Sequence, residues 1–194
     1  METHFFLFRH GQTTYNANGY IQGQTNDSVL TDMGIKQAYE VGNKLKQYPI
    51  EVILCSPLKR TKQTAQEVLK HFNNVDLIQE SRFIEVNVGE IEGLYFQDVV
   101  TKYGAQYHKW RDINDTDLDF CFKGGESKMQ VRNRAFEALE HYLHDSTYKY
   151  IAVATHGILL AQICAELKFK VDEIKNGAIL HLLYQNGEWQ AEFL

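Results

Sequence analysis

The chain is poor in proline, with two in 194 residues, and in cysteine, with three. It has no surplus of positive charge and no apolar run of membrane-spanning length. The scarce prolines and 13 scattered glycines leave no linker or low-complexity stretch, and no internal repeat is visible. One domain over residues 1–194, large enough to bury a single core, is therefore expected. Cys55, Cys121 and Cys164 are odd in number and lack metal-site pairing, which fits a reduced compartment and predicts a cytoplasmic protein. The apolar run near the N-terminus is too short for a signal peptide and leads straight into polar residues. With 20 Lys and Arg against 25 Asp and Glu, the net charge is −5, so neither nucleic acid nor a membrane surface is an expected partner. Any anionic substrate must instead be captured by local cations.

What is present begins with Phe5-Phe6-Leu7-Phe8, an apolar run that reads as a strand covered on both faces. It ends abruptly in Arg9-His10-Gly11. The pattern predicts a helix over about 31–47, capped by Thr31, with Ile35, Ala38, Val41 and Leu45 facing inward. A strand over 52–55, a helix over about 58–72 and a weaker strand over 75–78 follow. The stretch from roughly 86 to 125 is irregular, rich in glycine and aromatics, and reads as a flap of short helices. A helix over about 126–144, with Val131, Ala135, Ala138 and Leu139 inward, precedes a strand over 150–154 and a helix ending near 167. Two last strands flank Asn186-Gly187, a hairpin turn. Alternating strands and helices predict an α/β fold, a three-layer α/β/α sandwich whose mostly parallel sheet has an antiparallel edge.

His10, the segment from Ser56 to Arg60, and His156 each come directly after a separate apolar strand. In a parallel sheet all three reach one edge, where open α/β sheets place ligands. A phosphoryl group suits such residues, because its transfer depends on positioning and charge stabilisation. Arg9 and Arg60 offer planar forks to its oxygens, and a neutral His10 can take it as a phosphohistidine. His156, if protonated, adds a cation; Asn16 can donate an amide N–H; Gly11 and Gly157 let the backbone come close. The departing alkoxide needs a proton. Composition alone does not rank Glu80, Glu85, Glu90 and Glu92 for that task.

The segment Leu7-Phe8-Arg9-His10-Gly11-Gln12-Thr13 resembles the signature of the histidine phosphatase superfamily, the phosphoglycerate-mutase-like enzymes. Further segments resemble it in the same order: Asn16, Gln22-Gly23, Leu30-Thr31, Ser56-Pro57-Leu58 with Arg60-Thr61, Glu85 to Gly93, Gly124-Gly125-Glu126-Ser127, and Thr155-His156-Gly157. The resemblance implies His10 as the phosphorylated nucleophile and Glu85 as the proton donor. Arg9, Arg60 and His156 would form the phosphate pocket, with Asn16, Gln22, Gly23 and Gly157 beside it. It implies no metal or other cofactor, and a small-molecule phosphate ester as the partner of a monomer or homodimer. The Gln-Thr form of the opening motif and the short chain favour the phosphatase branch, whose small members act on α-ribazole phosphate, on sugar phosphates, or broadly. A bell-shaped, mildly acidic rate optimum is expected, because Glu85 must start protonated and His10 neutral.

Rival readings fit less well. Cys55 and Arg60 stand one residue too close for a cysteine phosphatase loop. Residues 112–123 mimic a calcium loop but lack its glycine and end in Lys123 where a Glu belongs. No His-x-Asp spacing marks a dinuclear site at the strand ends. Glu126 and Ser127 suit a helix start, and Gln22 could be an ordinary loop residue. His4, His71, His141 and His144 read as surface, whereas His108 lies in the flap. A mutase, or a catalytically silent binding protein on the same fold, are the alternative functions.

Overall fold

A computed structural model describes residues 2–25, 27–112 and 117–194. The strands are β1 (Glu2–Arg9), β2 (Val52–Cys55), β3 (Asp76–Gln79), β4 (Tyr150–Thr155), β5 (Ile179–Gln185) and β6 (Glu188–Phe193). The helices are α1 (Thr14–Asn18), α2 (Asp32–Leu45), α3 (Lys59–Leu69), α4 (Phe96–Tyr103), α5 (Ala105–Arg111), α6 (Lys128–His144) and α7 (Gly157–Glu166). The sheet order is β3-β2-β4-β1-β5-β6. β1, β2, β3 and β4 pair in parallel, while β5 and β6 add the antiparallel edge.

Alternation along β1 sorts the core into two halves. Phe5 and Leu7 face a cluster shared with α6, α7 and the flap, through Leu139, Leu160 and Trp110. Phe6 and Phe8 face the opposite cluster, with Val41 and Leu45 of α2 and Val68 of α3. Helices therefore cover both faces of the sheet, the three-layer α/β fold that the strand and helix alternation predicts. No helix among the described residues is long and apolar enough to cross a membrane.

Several expectations are corrected in detail. Ile35 is 43% exposed, and the inward stripe of α2 is Gly34, Ala38, Val41, Gly42 and Leu45. The reason is steric: a Cβ on Gly34 would lie 2.1 Å from the Gln12 carbonyl oxygen, so a glycine must take the inward position and Ile35 turns outward. The helix expected over 58–72 is shorter, because Leu58 is its N-cap and Lys70 its C-cap. Helix α6 starts at Lys128 behind a Ser127 capping box closed by Gln130, and its four expected inward residues are buried. His4 and His71 are half-buried rather than free on the surface. His4 stacks on Tyr150 at 4.6 Å and meets His181 Nε2 at 2.9 Å, and His71 packs edge-on to Tyr39 and against Gly42. His141 and His144 are exposed. The calcium-like stretch runs through residues 113–116, which lie outside the described residues.

Candidate active site

Strand β1 carries its direction into the site through hydrogen bonds on both sides. Gly177 donates to the Arg9 carbonyl at 3.1 Å, and the His10 N–H donates to the Thr155 carbonyl at 3.0 Å. The backbone of Gly11 then runs against that of Gly34, where a Cβ would lie 2.2 Å from the Gly34 carbonyl oxygen. Its N–H donates to Thr64 Oγ1 at 3.1 Å. His10 is thereby fixed at the mouth of the sheet, 2% exposed.

The geometry assigns its tautomer. His10 Nδ1 lies 2.8 Å from the Gly11 carbonyl, which only accepts, so Nδ1 carries the hydrogen. Burial, together with the positive fields of Arg60 and Arg9, holds its pKa well below the usual histidine value. The ring is therefore neutral near pH 7, and Nε2 presents a lone pair, which accepts from Arg60 Nε at 3.2 Å. The lowered pKa places any acid limb set by His10 below 6.5.

Both arginines hang from main-chain oxygens. Arg60 donates through Nη1 to the Thr25 carbonyl at 3.0 Å and through Nη2 to the Gly23 carbonyl at 2.7 Å. Arg9 donates through Nη1 to the Ile174 carbonyl at 2.6 Å, while its buried Nε has no partner among the described residues. Burial brings Arg60 down to about 10 and lowers Arg9, and Arg60 remains cationic at neutral pH. Gly157 makes room for the Arg9 guanidinium, since a Cβ there would stand 3.1 Å from Arg9 Nε.

Glu85 approaches from the irregular segment and is 8% exposed. Its Oε1 accepts from the Val86 N–H at 3.0 Å and the Leu159 N–H at 3.1 Å, and its Oε2 from the Ile158 N–H at 3.2 Å. The carboxyl thus sits on the N-terminus of α7, whose free N–H groups favour an anion. Oε1 has both lone pairs engaged, whereas Oε2 accepts one N–H and keeps a position open. Arg9, His10, Asn16, Gln22, Gly23, Arg60, Glu85 and Gly157 all line one cleft of about 660 Å³. Above this floor stand Tyr20, Phe96, Tyr107, Trp110 and Arg111, with Asp172 and Glu173 alongside.

A model of the histidine phosphatase superfamily, branch 1, matches residues 5–194. The chain belongs to the histidine phosphatase superfamily. As a histidine phosphatase it is 32% identical over 196 residues to a protein of Proteus mirabilis described as probable phosphoglycerate mutase GpmB, covering 96% of this chain and 87% of the relative. It is 35% identical over 164 residues to the metal-independent phosphoserine phosphatase of Arabidopsis thaliana, covering 83% and 67%. Its fold superposes on a mycobacterial glucosyl-3-phosphoglycerate phosphatase with a TM-score of 0.85 at 22% identity, covering 99% and 98%.

In this histidine phosphatase His156 stands beside His10. It is fully buried, with its ring centroid 5.4 Å from that of His10, and it is absent from the residues lining the cleft. Burial and the neighbouring cations push its pKa well below the usual value, so it is neutral rather than a further cation. Its Nε2 meets Ser56 Oγ at 2.7 Å, and its Nδ1 is unpartnered among the described residues. Cys55, the rival nucleophile, is a thiol pushed up by burial to about 12, which leaves it inert. His108 is exposed and does not line the cleft.

Asn16 Oδ1 accepts from the Thr13 N–H at 3.2 Å and from Asn176 Nδ2 at 3.3 Å, which leaves its amide nitrogen to offer. Gln22 Oε1 lies 3.0 Å from Thr13 Oγ1. Glu126 and Ser127 serve structure: Ser127 caps α6, and Glu126 pairs with Arg134 at 2.9 Å. Sequence reasoning missed Asn176, which donates to the His10 carbonyl at 2.9 Å, and gave no role to Thr64, which joins Gly11 to the Arg60 carbonyl. Asn176-Gly177 just before β5 was the available signal, as a turn pair leading into a strand beside β1.

Proposed function

We propose that the chain is a metal-independent phosphomonoesterase that works through a phosphohistidine on Nε2 of His10. The observation that carries this is the Nδ1–Gly11 carbonyl bond, which leaves Nε2 unprotonated between Arg60 and the cleft. Nε2 attacks phosphorus as the bond to the ester oxygen breaks. The leaving alkoxide takes the proton from Glu85 Oε2 and departs as the alcohol. Glu85, now a carboxylate, takes a proton from water as its oxygen attacks the phosphohistidine; phosphate leaves, and both His10 and protonated Glu85 are restored. Arg9 and Arg60 hold the peripheral oxygens throughout. His156, neutral, keeps the His10 ring in place.

The phosphoserine phosphatase relative and the charge at the cleft mouth support phosphoserine as the first ester to try. Arg111 faces the same space as Asp172 and Glu173, which suits an alcohol bearing both a carboxylate and an ammonium. The test is rapid acid-free quenching of enzyme mixed with labelled ester. Label trapped on wild type and absent from His10→Ala supports the mechanism; equal turnover by His10→Ala refutes it, and would fit a silent binding protein contaminated by another phosphatase. A second reading, phosphoglycerate mutase, is favoured by the Proteus mirabilis relative. Incubation with 3-phosphoglycerate and a trace of bisphosphoglycerate separates the two, since a mutase yields 2-phosphoglycerate and a phosphatase yields free phosphate.

A further inference from the structure

Glu85 stands on a stretch that belongs to no strand and no α-helix. Residues 84–88 follow a single 3-10 turn, so no ladder of main-chain bonds fixes the backbone from which the acid projects. The structure supplies a substitute from α6. Arg134 has five N–H donors, and each has a partner. Nη1 donates to the Arg82 carbonyl at 2.7 Å and to the Ile84 carbonyl at 2.6 Å. Nη2 donates to the Glu85 carbonyl at 3.0 Å and to Glu126 Oε2 at 3.1 Å, and Nε donates to Glu126 Oε1 at 2.9 Å. Glu126 Oε2 reaches back to accept the Asn87 N–H at 2.8 Å. One guanidinium and its carboxylate therefore hold the chain on both sides of Glu85.

We infer that Arg134, oriented by Glu126, is a positioning residue for the proton-transfer step, acting through the backbone of residues 82–87. The inference rests on Glu85 being the acid. The head of Glu85 is held by N–H groups at the start of α7, and its root by Arg134 of α6. Gln24 joins the same knot by donating to the Glu85 carbonyl at 2.9 Å, next to Gly23, whose carbonyl holds Arg60. The fork geometry matters more than the charge. A lysine at 134 has one nitrogen and cannot span three carbonyls and a carboxylate.

The readout that separates positioning from mere support is the leaving group. An aryl phosphate departs without a proton donor, whereas an alkyl phosphate needs one, and kcat/KM reports the step in which the alcohol leaves. Wild type, Glu85→Gln, Arg134→Met, Arg134→Lys and Glu126→Gln are assayed on p-nitrophenyl phosphate and on an alkyl phosphate. Glu85→Gln is the benchmark, expected to lose about 10²–10⁴-fold on the alkyl ester and little on the aryl ester. Arg134→Met is expected to lose about 10²-fold on the alkyl ester and less than about threefold on the aryl ester, since a small displacement of a reacting group is enough. Arg134→Lys should behave like Arg134→Met, and its full recovery would overturn the positional account. Equal losses on both esters, or none, would also overturn it. Glu126→Gln keeps the three carbonyl bonds and should discriminate about tenfold; it decides the matter if Arg134→Met is insoluble, and no discrimination there counts against the inference. If Glu85→Gln itself fails to discriminate, the acid assignment falls, and the positioning role with it.

Discussion

The floor and the roof of the cleft are built on different principles. On the floor, Arg9, His10 and Arg60 are all fastened to carbonyl oxygens, those of Ile174, Gly11, Gly23 and Thr25. The roof is held by rings on rings: Phe96 meets Tyr107 at 5.7 Å, Tyr107 meets Trp110 at 5.9 Å, and Trp110 meets Phe122 at 5.5 Å. Directional bonds fix angles, whereas apolar packing fixes volume and tolerates exchange. The floor therefore suits chemistry common to every phosphate ester, and the roof suits the choice of alcohol. Floor variants should depress all esters alike, and roof variants should reorder them.

The hardest blow to the comparison would come from His10→Ala. It should lose at least ~10⁴-fold in kcat/KM on every ester, because the proposed nucleophile is gone. A panel in which some esters survive would show that the floor is not common to all. Arg60→Ala should cost about 10²–10³-fold, again uniformly, as expected for one lost charge donor at the transferring group. Steady-state kinetics on alkyl and aryl esters checks both.

The two histidines buried at the base of the site also carry a cost in acid. His10 and His156 have folded pKa values below the unfolded 6.5, so the unfolded chain binds more protons as pH drops. Stability should be full above pH 6.5 and fall below it, by up to about 1.4 kcal/mol per pH unit for each of the two residues. Urea titrations between pH 7 and pH 5 measure the slope. His156→Asn should reduce it by one residue's share; an unchanged slope would mean that His156 is charged in the folded protein.

Smaller effects sharpen the contrast. Phe96→Ala removes a half-exposed ring that lines the cleft, and should shift kcat/KM between bulky and small alcohols by roughly tenfold while leaving hydrolysis of the proposed phosphohistidine unchanged. A uniform loss would place Phe96 with the floor. Gly157→Ala crowds Arg9 Nε and should cost about 1 kcal/mol, roughly fivefold in kcat/KM on all esters.

The same division decides what could be read from the residues. Apolar runs ending in Arg9-His10, Ser56 and Thr155-His156 announced three strand ends, and parallel topology brought them together. Helix α2 was legible as a period, but not the rotation that turns Ile35 outward, because that depends on a backbone contact between Gly34 and Gln12 far apart in sequence. The charge of His156 stayed open in the sequence because burial, which lowers its pKa, is a property of the packed molecule. Arg134 and Asn176 escaped notice because the partners that tie them to the site are main-chain oxygens, which have no letter in a sequence, although each also meets a side chain. The 86–125 flap was recognisable as irregular; its ring-to-ring order was not, since no periodicity records which aromatic meets which.

The tethers of Arg9 and Arg60 have a consequence for how such an enzyme can change. A carbonyl is the one acceptor that a point mutation cannot delete, because every residue brings its own. Substitutions at residues such as Ile174, which lines the cleft, can thus alter its wall while the guanidinium groups keep their anchors. New alcohols can be explored by drift at those positions without the phosphoryl chemistry having to be invented again.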